Sequence, residues 1–395
     1  MRRIRAFLCV SLLVFISGAV ACLAQADDVL CRGGNGRFEA TFHREVKVHV
    51  GATRSGGLAA RSCEATLSTE GQDVTVASGA WEIDLDAFGG DLGLGSPVAA
   101  FQVKQAESDC CTSYLIYSLQ KPPRLLRTLT GGSSYRASDA DFDTRVEVWT
   151  DDAAALDGFE KLTFPDPDWL PPVVLRFDQS RLLDAGSEFQ PFFDQLISKL
   201  KGRISSQDVK DFKSSDGLLA PGGTLPAQVA LRLRAVKIGV LEIVFSYLNS
   251  GREHEAWTAL ADMWPATDAE RIRAAMVKAR DGGIHAQVEG AATARKKKRA
   301  TIYDITKSQG DESEVVGPQP ILLRRPPPAA SEQGLEKAET SVVLIIDSAG
   351  KVHLAGGAGS NPELIAAARG WKFIPAQRGG HAVACRTRLA VSPRR

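Results

Sequence analysis

At 395 residues, with 44% hydrophobic and 24% charged side chains, the chain has ordinary globular composition and length for about two or three domains. A formal net charge of +1 excludes general electrostatic attraction to nucleic acid or to anionic membranes, so any binding must be local. At the N-terminus, Arg2, Arg3 and Arg5 precede an apolar run from Ala6 to Ala24, and Ala24-Gln25-Ala26 fits a small-x-small cleavage site before Asp27. The pattern predicts a signal peptide over residues 1–26 and a periplasmic or secreted protein of a Gram-negative envelope. Two alternatives stay open: a lipoprotein processed at Cys22, within Ala19-Val20-Ala21-Cys22, and an uncleaved inner-membrane anchor. Membrane association is expected only if the N-terminus is retained or lipidated.

Residues 27–165 read as a β-rich domain, an all-β sandwich or partial propeller. Short alternating segments at Phe38 to Phe42, Val46 to Val50, Val74 to Val76, Ala99 to Val103, Tyr114 to Tyr117 and Val146 to Trp149 predict strands. Gly89-Gly90 and Gly131-Gly132 mark turns. Cys31, Cys63, Cys110 and Cys111 are disulfide candidates in an oxidising compartment, with connectivity open. As strand neighbours, Cys110 and Cys111 would point apart and each seek a distant partner. Asp139, Asp141, Asp143 and Glu147 place carboxylates at positions 1, 3, 5 and 9, a spacing that resembles the calcium loops of integrin-type propeller repeats. Hard oxygen donors at that density suit calcium. Position 6, a glycine in those loops, is Thr144, and position 12 is Thr150. Without an ion, the same stretch is a polar hairpin loop.

The seam PDPDWLPP opens a region over residues 166–288 that combines a β-hairpin, turned at Gln179-Ser180, with helices. Phe189, Phe192, Phe193, Leu196, Ile197 and Leu200 form an amphipathic stripe. Over residues 241–265, the placement of Tyr247, Gly251, Ala256, Leu260 and Pro265 resembles one tetratricopeptide-type helix pair. A third helix from Asp268 to Arg280 should turn Ile272, Met276 and Val277 inward. Residues 289–338 read as a charged and Pro-rich linker, with a basic run over residues 295–299 and Pro326-Pro327-Pro328. Behind a signal peptide and without interleaved aromatics, the basic run predicts no nucleic-acid partner.

The terminal region, residues 339–395, reads as strand, tight turn, strand, short helix, strand. Val342 to Ile346 is β-branched, Ser348-Ala349-Gly350 turns the chain, Pro362 starts the helix and Gly370 ends it. Trp371 and Phe373 alternate with Lys372 and Ile374 before Pro375, which places Trp371, Phe373 and Pro375 in the module core. Cys385 is expected as a buried free thiol. The order of elements, with Asp347-x-x-Gly350-x-Val352 ahead of Trp371-x-Phe373-x-Pro375-Ala376, resembles the TonB C-terminal domain family over about residues 318–395. The resemblance implies a non-catalytic envelope module that binds an envelope or outer-membrane protein. The chain departs from that family in lacking the Ser/His pair of the anchor that engages a proton-driven motor, so motor coupling is not expected.

No catalytic constellation emerges from the sequence. Ser198 and Lys201 match a Ser-x-x-Lys pair without companion motifs, residues 356–360 are a glycine-rich connection, and the six histidines lack metal-ligand spacing. The fold class expected is therefore multidomain α+β, and the function expected is protein binding in the envelope. The alternative is an exported hydrolase or carbohydrate-binding protein acting on cell-wall or extracellular polymer through the N-terminal β domain. No cofactor is expected beyond calcium.

Overall fold

The structure, a computed structural model, describes residues 29–43, 45–53, 61–162, 170–219, 226–293, 299–306, 314–322, 340–356 and 362–391. The signal segment, most of the basic run and most of the 356–360 connection lie outside the described residues. The fold is multidomain α+β, as expected.

The N-terminal half consists of antiparallel sheets that follow one another along the chain. A short β1 (Cys31–Arg32) precedes β2 (Arg37–Phe42), β3 (Val46–Ala52), β4 (Cys63–Thr69) and β5 (Gln72–Ala80). Then come β6 (Glu82–Phe88), β7 (Val98–Lys104), β8 (Thr112–Ser118) and β9 (Arg124–Gly132). The third set is β10 (Arg136–Ser138), β11 (Glu147–Asp151), β12 (Pro172–Asp178) and β13 (Arg181–Asp184), with a one-turn helix, α1 (Ala153–Leu156), between β11 and β12. The sheets have orders β2-β3-β4-β5, β1-β6-β7-β8-β9 and β10-β11-β12-β13.

Alternation along the strands decides how these sheets stack. Val46, Val48 and Val50 of β3 and Cys63, Ala65 and Leu67 of β4 meet Ile83, Leu85, Phe101 and Val103 in one core. The opposite face of the middle sheet sends Ala87, Ala100, Tyr114 and Ile116 against Ala137, Val148, Val173 and Leu175 of the third. The middle sheet is thus covered on both faces, and β7 reads as a nearly continuous buried run. Consecutive meanders stacked face to face are also how propeller blades are arranged.

Cys31 and Cys63 form a disulfide that ties the middle sheet to the first. Cys110 and Cys111 are bonded to each other, which corrects the expectation of distant partners. They lie in the bend before β8 rather than within a strand, so strand alternation does not separate their side chains.

The hairpin expected at residues 173–184 is present, and its central residues Gln179 and Ser180 both have positive φ, as a two-residue hairpin turn requires. It pairs with β11 and completes the third sheet, so β structure continues past residue 165. Against this sheet pack α2 (Gln190–Arg203), α3 (Ser206–Lys213), α4 (Ala227–Asn249), α5 (Glu253–Met263) and α6 (Ala269–Gly282). Gly251 takes a left-handed conformation between α4 and α5, and Ala256 is buried in the helical core. Ile272 and Met276 face inward as expected, but Val277 is exposed, because the buried stripe of α6 repeats at a four-residue spacing that excludes it.

The terminal module forms strand, strand, helix, strand in the expected order: β17 (Thr340–Ile346), β18 (Val352–Gly356), α7 (Pro362–Ala368) and β19 (Lys372–Ile374). Three more strands follow, β20 (Ala376–Arg378), β21 (His381–Val383) and β22 (Cys385–Val391). The region expected to be linker contributes β14 (Tyr303–Asp304), β15 (Val315–Val316) and β16 (Gln319–Leu322) ahead of them. These pair with β22, β20 and β19 respectively. Those stretches are not solvated chain, since the module's strand edges offer their backbone groups hydrogen-bond partners. Trp371 and Phe373 are buried in the module core with Val342, Leu344, Leu364 and the free Cys385. Burial pushes the Cys385 thiol up to about 12, so it stays protonated and unreactive.

Candidate functional site

The module does not hang free of the sandwich; it sits against the edge strands β2 and β10 and against β6. Gly89-Gly90, expected only as a turn, makes this possible. A Cβ at Gly89 would stand 2.8 Å from the Phe42 ring, and one at Gly90 would stand 2.9 Å from the Ser348 carbonyl. Pro375 lies against Gly90, so it belongs to the contact between module and sandwich. Ile374 enters the sandwich core while its neighbour Phe373 stays in the module core. His43, at the end of β2, meets the Gln377 side chain at 2.7 Å.

Asp347 joins the two parts chemically. Its Oδ1 accepts the backbone N–H groups of Ala349 at 2.9 Å and Lys351 at 2.8 Å, closing the β17–β18 turn. Gly350 in that turn has φ +83°, and a Cβ there would lie 1.8 Å from the Phe373 carbonyl oxygen, so the position demands glycine. Asp347 Oδ2 reaches across to β10, where the Ser138 hydroxyl donates at 2.8 Å and the Asp139 N–H at 2.9 Å. His353 Nε2 stands 2.7 Å from the same oxygen and 3.2 Å from Ser138 Oγ. A serine relay needs the two imidazole nitrogens divided between hydroxyl and carboxylate. Here one nitrogen faces both, so the trio locks an interface rather than activating a nucleophile.

The expected calcium loop is next to this lock, as the hairpin connection between β10 and β11. Carboxylate oxygens of Asp139, Asp141 and Asp143 lie within 4.8 Å of one another. Thr144 takes φ +74°, so the backbone adopts the left-handed turn at position 6 without a glycine. Asp139 accepts the N–H groups of Asp143 at 2.9 Å and Thr144 at 3.0 Å, and the Ser348 hydroxyl at 3.2 Å. Burial, with the nearby Asp347 charge, pushes Asp139 up to about 6 against these hydrogen bonds. Burial would raise Asp143 too, but the Arg145 guanidinium and N–H hold it below the ordinary range.

Glu147 is the extreme member. It is 1% exposed, and Oε2 accepts the Ala140 N–H at 3.1 Å. Oε1 has no hydrogen-bond partner among the described residues, the Arg176 guanidinium being 3.8 Å away. Burial, reinforced by the charges of Asp141, Asp139 and Asp143, pushes the carboxyl up to about 9. Arg176 is committed elsewhere, to Glu188 at 2.6 and 3.0 Å. The residues therefore suit a hard cation: oxygen donors in excess of basic partners, in a loop whose charge is relieved by protonation when no cation binds. Glu147, expected as a fourth ligand, is not among the three carboxylates that converge.

A further set of ionised groups escaped the sequence reading. Strand β6 turns Asp84 and Asp86 toward the module, where Lys372 pairs with Asp84 and Lys351 with Asp86. The signal was present in EIDLDAF, where acids occupy alternate positions of an otherwise apolar strand, but nothing local names their partners. The other sequence candidates stay apart: Ser198 and Lys201 are exposed on α2, and the Lys201 ammonium donates to the Tyr247 hydroxyl at 3.1 Å. On the outer face of the first sheet, Glu39 and Glu64 line a polar groove with Lys47 and His49. Hydrogen bonding and charge from Arg37 hold Glu39 below its ordinary value, the opposite of what a proton-donating carboxyl needs.

No protein-family model, curated protein or solved structure matches the chain.

Proposed function

We propose that this is an exported, non-catalytic cell-envelope protein that binds a protein partner by adding that partner's strand to its terminal module. The observation carrying this reading is the outer edge of β22. Strand β14 covers that edge only at Cys385 and Arg386, and beyond them no described strand pairs with it. The Arg386 carbonyl accepts the Ile305 N–H on that side, so by alternation Arg388 and Ala390 also turn their backbone groups outward. An extended segment can dock there through main-chain hydrogen bonds. The Cys31–Cys63 disulfide supports an oxidising compartment, and the likeness to TonB C-terminal domains supports an envelope partner.

A photo-crosslinking residue at position 388 in living cells should give a discrete adduct with an envelope protein. Ala390→Pro, which removes an outward N–H while sparing the ladder to β17, should abolish it. No adduct, or one indifferent to the proline, would exclude edge binding. Crosslinking to polymer instead would favour the carbohydrate-binding alternative.

We also propose that the β10–β11 loop takes one calcium ion, because three of its carboxylates already converge. Calcium should raise the melting temperature of the wild type by several degrees relative to a chelator, on the scale of a ligand at about 100 times its dissociation constant. Asp141→Ala should melt at the same temperature in both. An unchanged wild-type curve would end the calcium reading.

A further inference from the structure

We propose that Lys351 and Asp86 become joined by an amide bond between their side chains, covalently locking the terminal module to the β sandwich. The two residues lie 265 positions apart, Asp86 on β6 and Lys351 immediately before β18, and each is 3% exposed. Lys351 Nζ stands 2.5 Å from Asp86 Oδ1 and also donates to the Asp86 backbone carbonyl. Asp86 Oδ2, the other carboxylate oxygen, accepts the Tyr114 hydroxyl and the Ala137 N–H, each at 2.7 Å. Nucleophile, leaving oxygen and two donors for the remaining oxygen are therefore assembled around one carbon, out of water.

The chemistry balances without a co-reactant. A proton passes from the Lys351 ammonium to Asp86 Oδ1 along their direct hydrogen bond. The freed nitrogen lone pair attacks Cγ, and the carbonyl electron pair moves onto Oδ2, where Tyr114 and Ala137 stabilise it as an oxyanion hole would. Collapse re-forms the carbonyl and expels Oδ1, with a second nitrogen proton, as water. The product is a neutral amide. Burial pushes the Lys351 amine below its ordinary value, which eases the first proton's departure. Although burial opposes it, Lys351 and Lys372 hold Asp86 low, so that proton transfer is the uphill step. Burial keeps Tyr114 protonated as a donor, its hydroxyl pushed well above the usual range. Two forces favour product: fixed proximity supplies a large effective concentration, and a buried ion pair with its desolvation penalty disappears.

The neighbouring pair lacks this arrangement. The Lys372 side chain is 16% exposed, and Asp84 Oδ1 has no hydrogen-bond donor among the described residues. That pair stays ionic.

Intact-mass analysis of the full chain, purified after folding, then denatured and reduced, tests the proposal on the wild type. The expected mass is one water below that of the processed sequence with its thiols free, not two. Proteolysis should release a branched peptide joining the segments around Lys351 and Asp86. Chain recovered without folding should show the full mass and lose one water as it folds. A folded chain of full mass, with Lys351 acylated by an amine reagent after denaturation, would show an ordinary ion pair and overturn the proposal. A water lost without the branched peptide would overturn it equally.

Discussion

Asp86→Ala is expected to lower folding stability by about 3–5 kcal/mol, the scale for removing one partner of a buried ion pair. The substitution leaves the Lys351 ammonium enclosed with, among the described residues, the backbone carbonyl of residue 86 as its remaining hydrogen-bond acceptor. The Tyr114 hydroxyl and Ala137 N–H lose their shared acceptor too, and buried orphan donors carry their own cost of about 1–3 kcal/mol each. These penalties are not additive, because relaxation at one relieves the others. Asp86→Ala combined with Lys351→Met should recover much of the loss, since a methionine replaces the buried charge with apolar volume. Denaturant titration of the four chains of this cycle measures the effect, with intact mass recorded so that loss of a crosslink is counted separately. A loss below about 1 kcal/mol for Asp86→Ala would mean that water reaches Lys351 and that the module is less firmly seated than the geometry implies.

Glu147→Gln should remove a fall in stability that the wild type shows as pH rises. The ordinary carboxyl value is 4.5 and the folded value about 9, so between them the folded chain keeps a proton that the unfolded chain has released. Glu147's contribution is therefore complete below 4.5 and lost progressively as pH climbs toward 9. The slope from this group is up to about 1.4 kcal/mol per pH unit, an order-of-magnitude figure. Asp139, raised from 3.8 to about 6, adds a slope of the same sign over its narrower interval. Glutamine cannot ionise, yet its carbonyl can still accept the Ala140 N–H. Urea midpoints between about pH 5 and 8 should therefore decline more steeply for wild type than for Glu147→Gln. Calcium reverses this logic: the cation binds the deprotonated loop, so its stabilisation should grow with pH. Equal slopes in the two chains would show that Glu147 is hydrated and ionised.

Much of the architecture is readable in local patterns. Strand β3 announces itself by apolar residues at a two-residue spacing, β7 by a nearly continuous apolar run, and the Phe193-Ile197-Leu200 stripe marks α2. The acid loop was legible because its carboxylates follow one another within nine residues. The buried acids of β6 were not, because Asp84 and Asp86, alternating with Ile83 and Leu85, look like the solvent-facing side of a half-buried strand. Residues 289–338 resembled a linker for a related reason: β14, β15 and β16 run two to four residues each and gain their conformation from strands far along the chain.

What the sequence determined by itself is what depends on near neighbours. It settles the alternating strands, the helical stripe, the turn at Ser348-Ala349-Gly350 and the spacing of the carboxylates, whereas the steric demand for glycine at position 350 comes from the distant Phe373 carbonyl. Only the tertiary structure decided which charges meet. Lys351 finds Asp86, Asp347 finds Ser138, and Cys31 finds Cys63, because each partnership is created when apolar faces stack and exclude water. Burial then changes the character of the groups it encloses, raising Glu147 and depressing Lys351. A carboxylate in sequence has one ordinary affinity for a proton; its folded surroundings decide whether it becomes a ligand, a lock or an acid that keeps its proton.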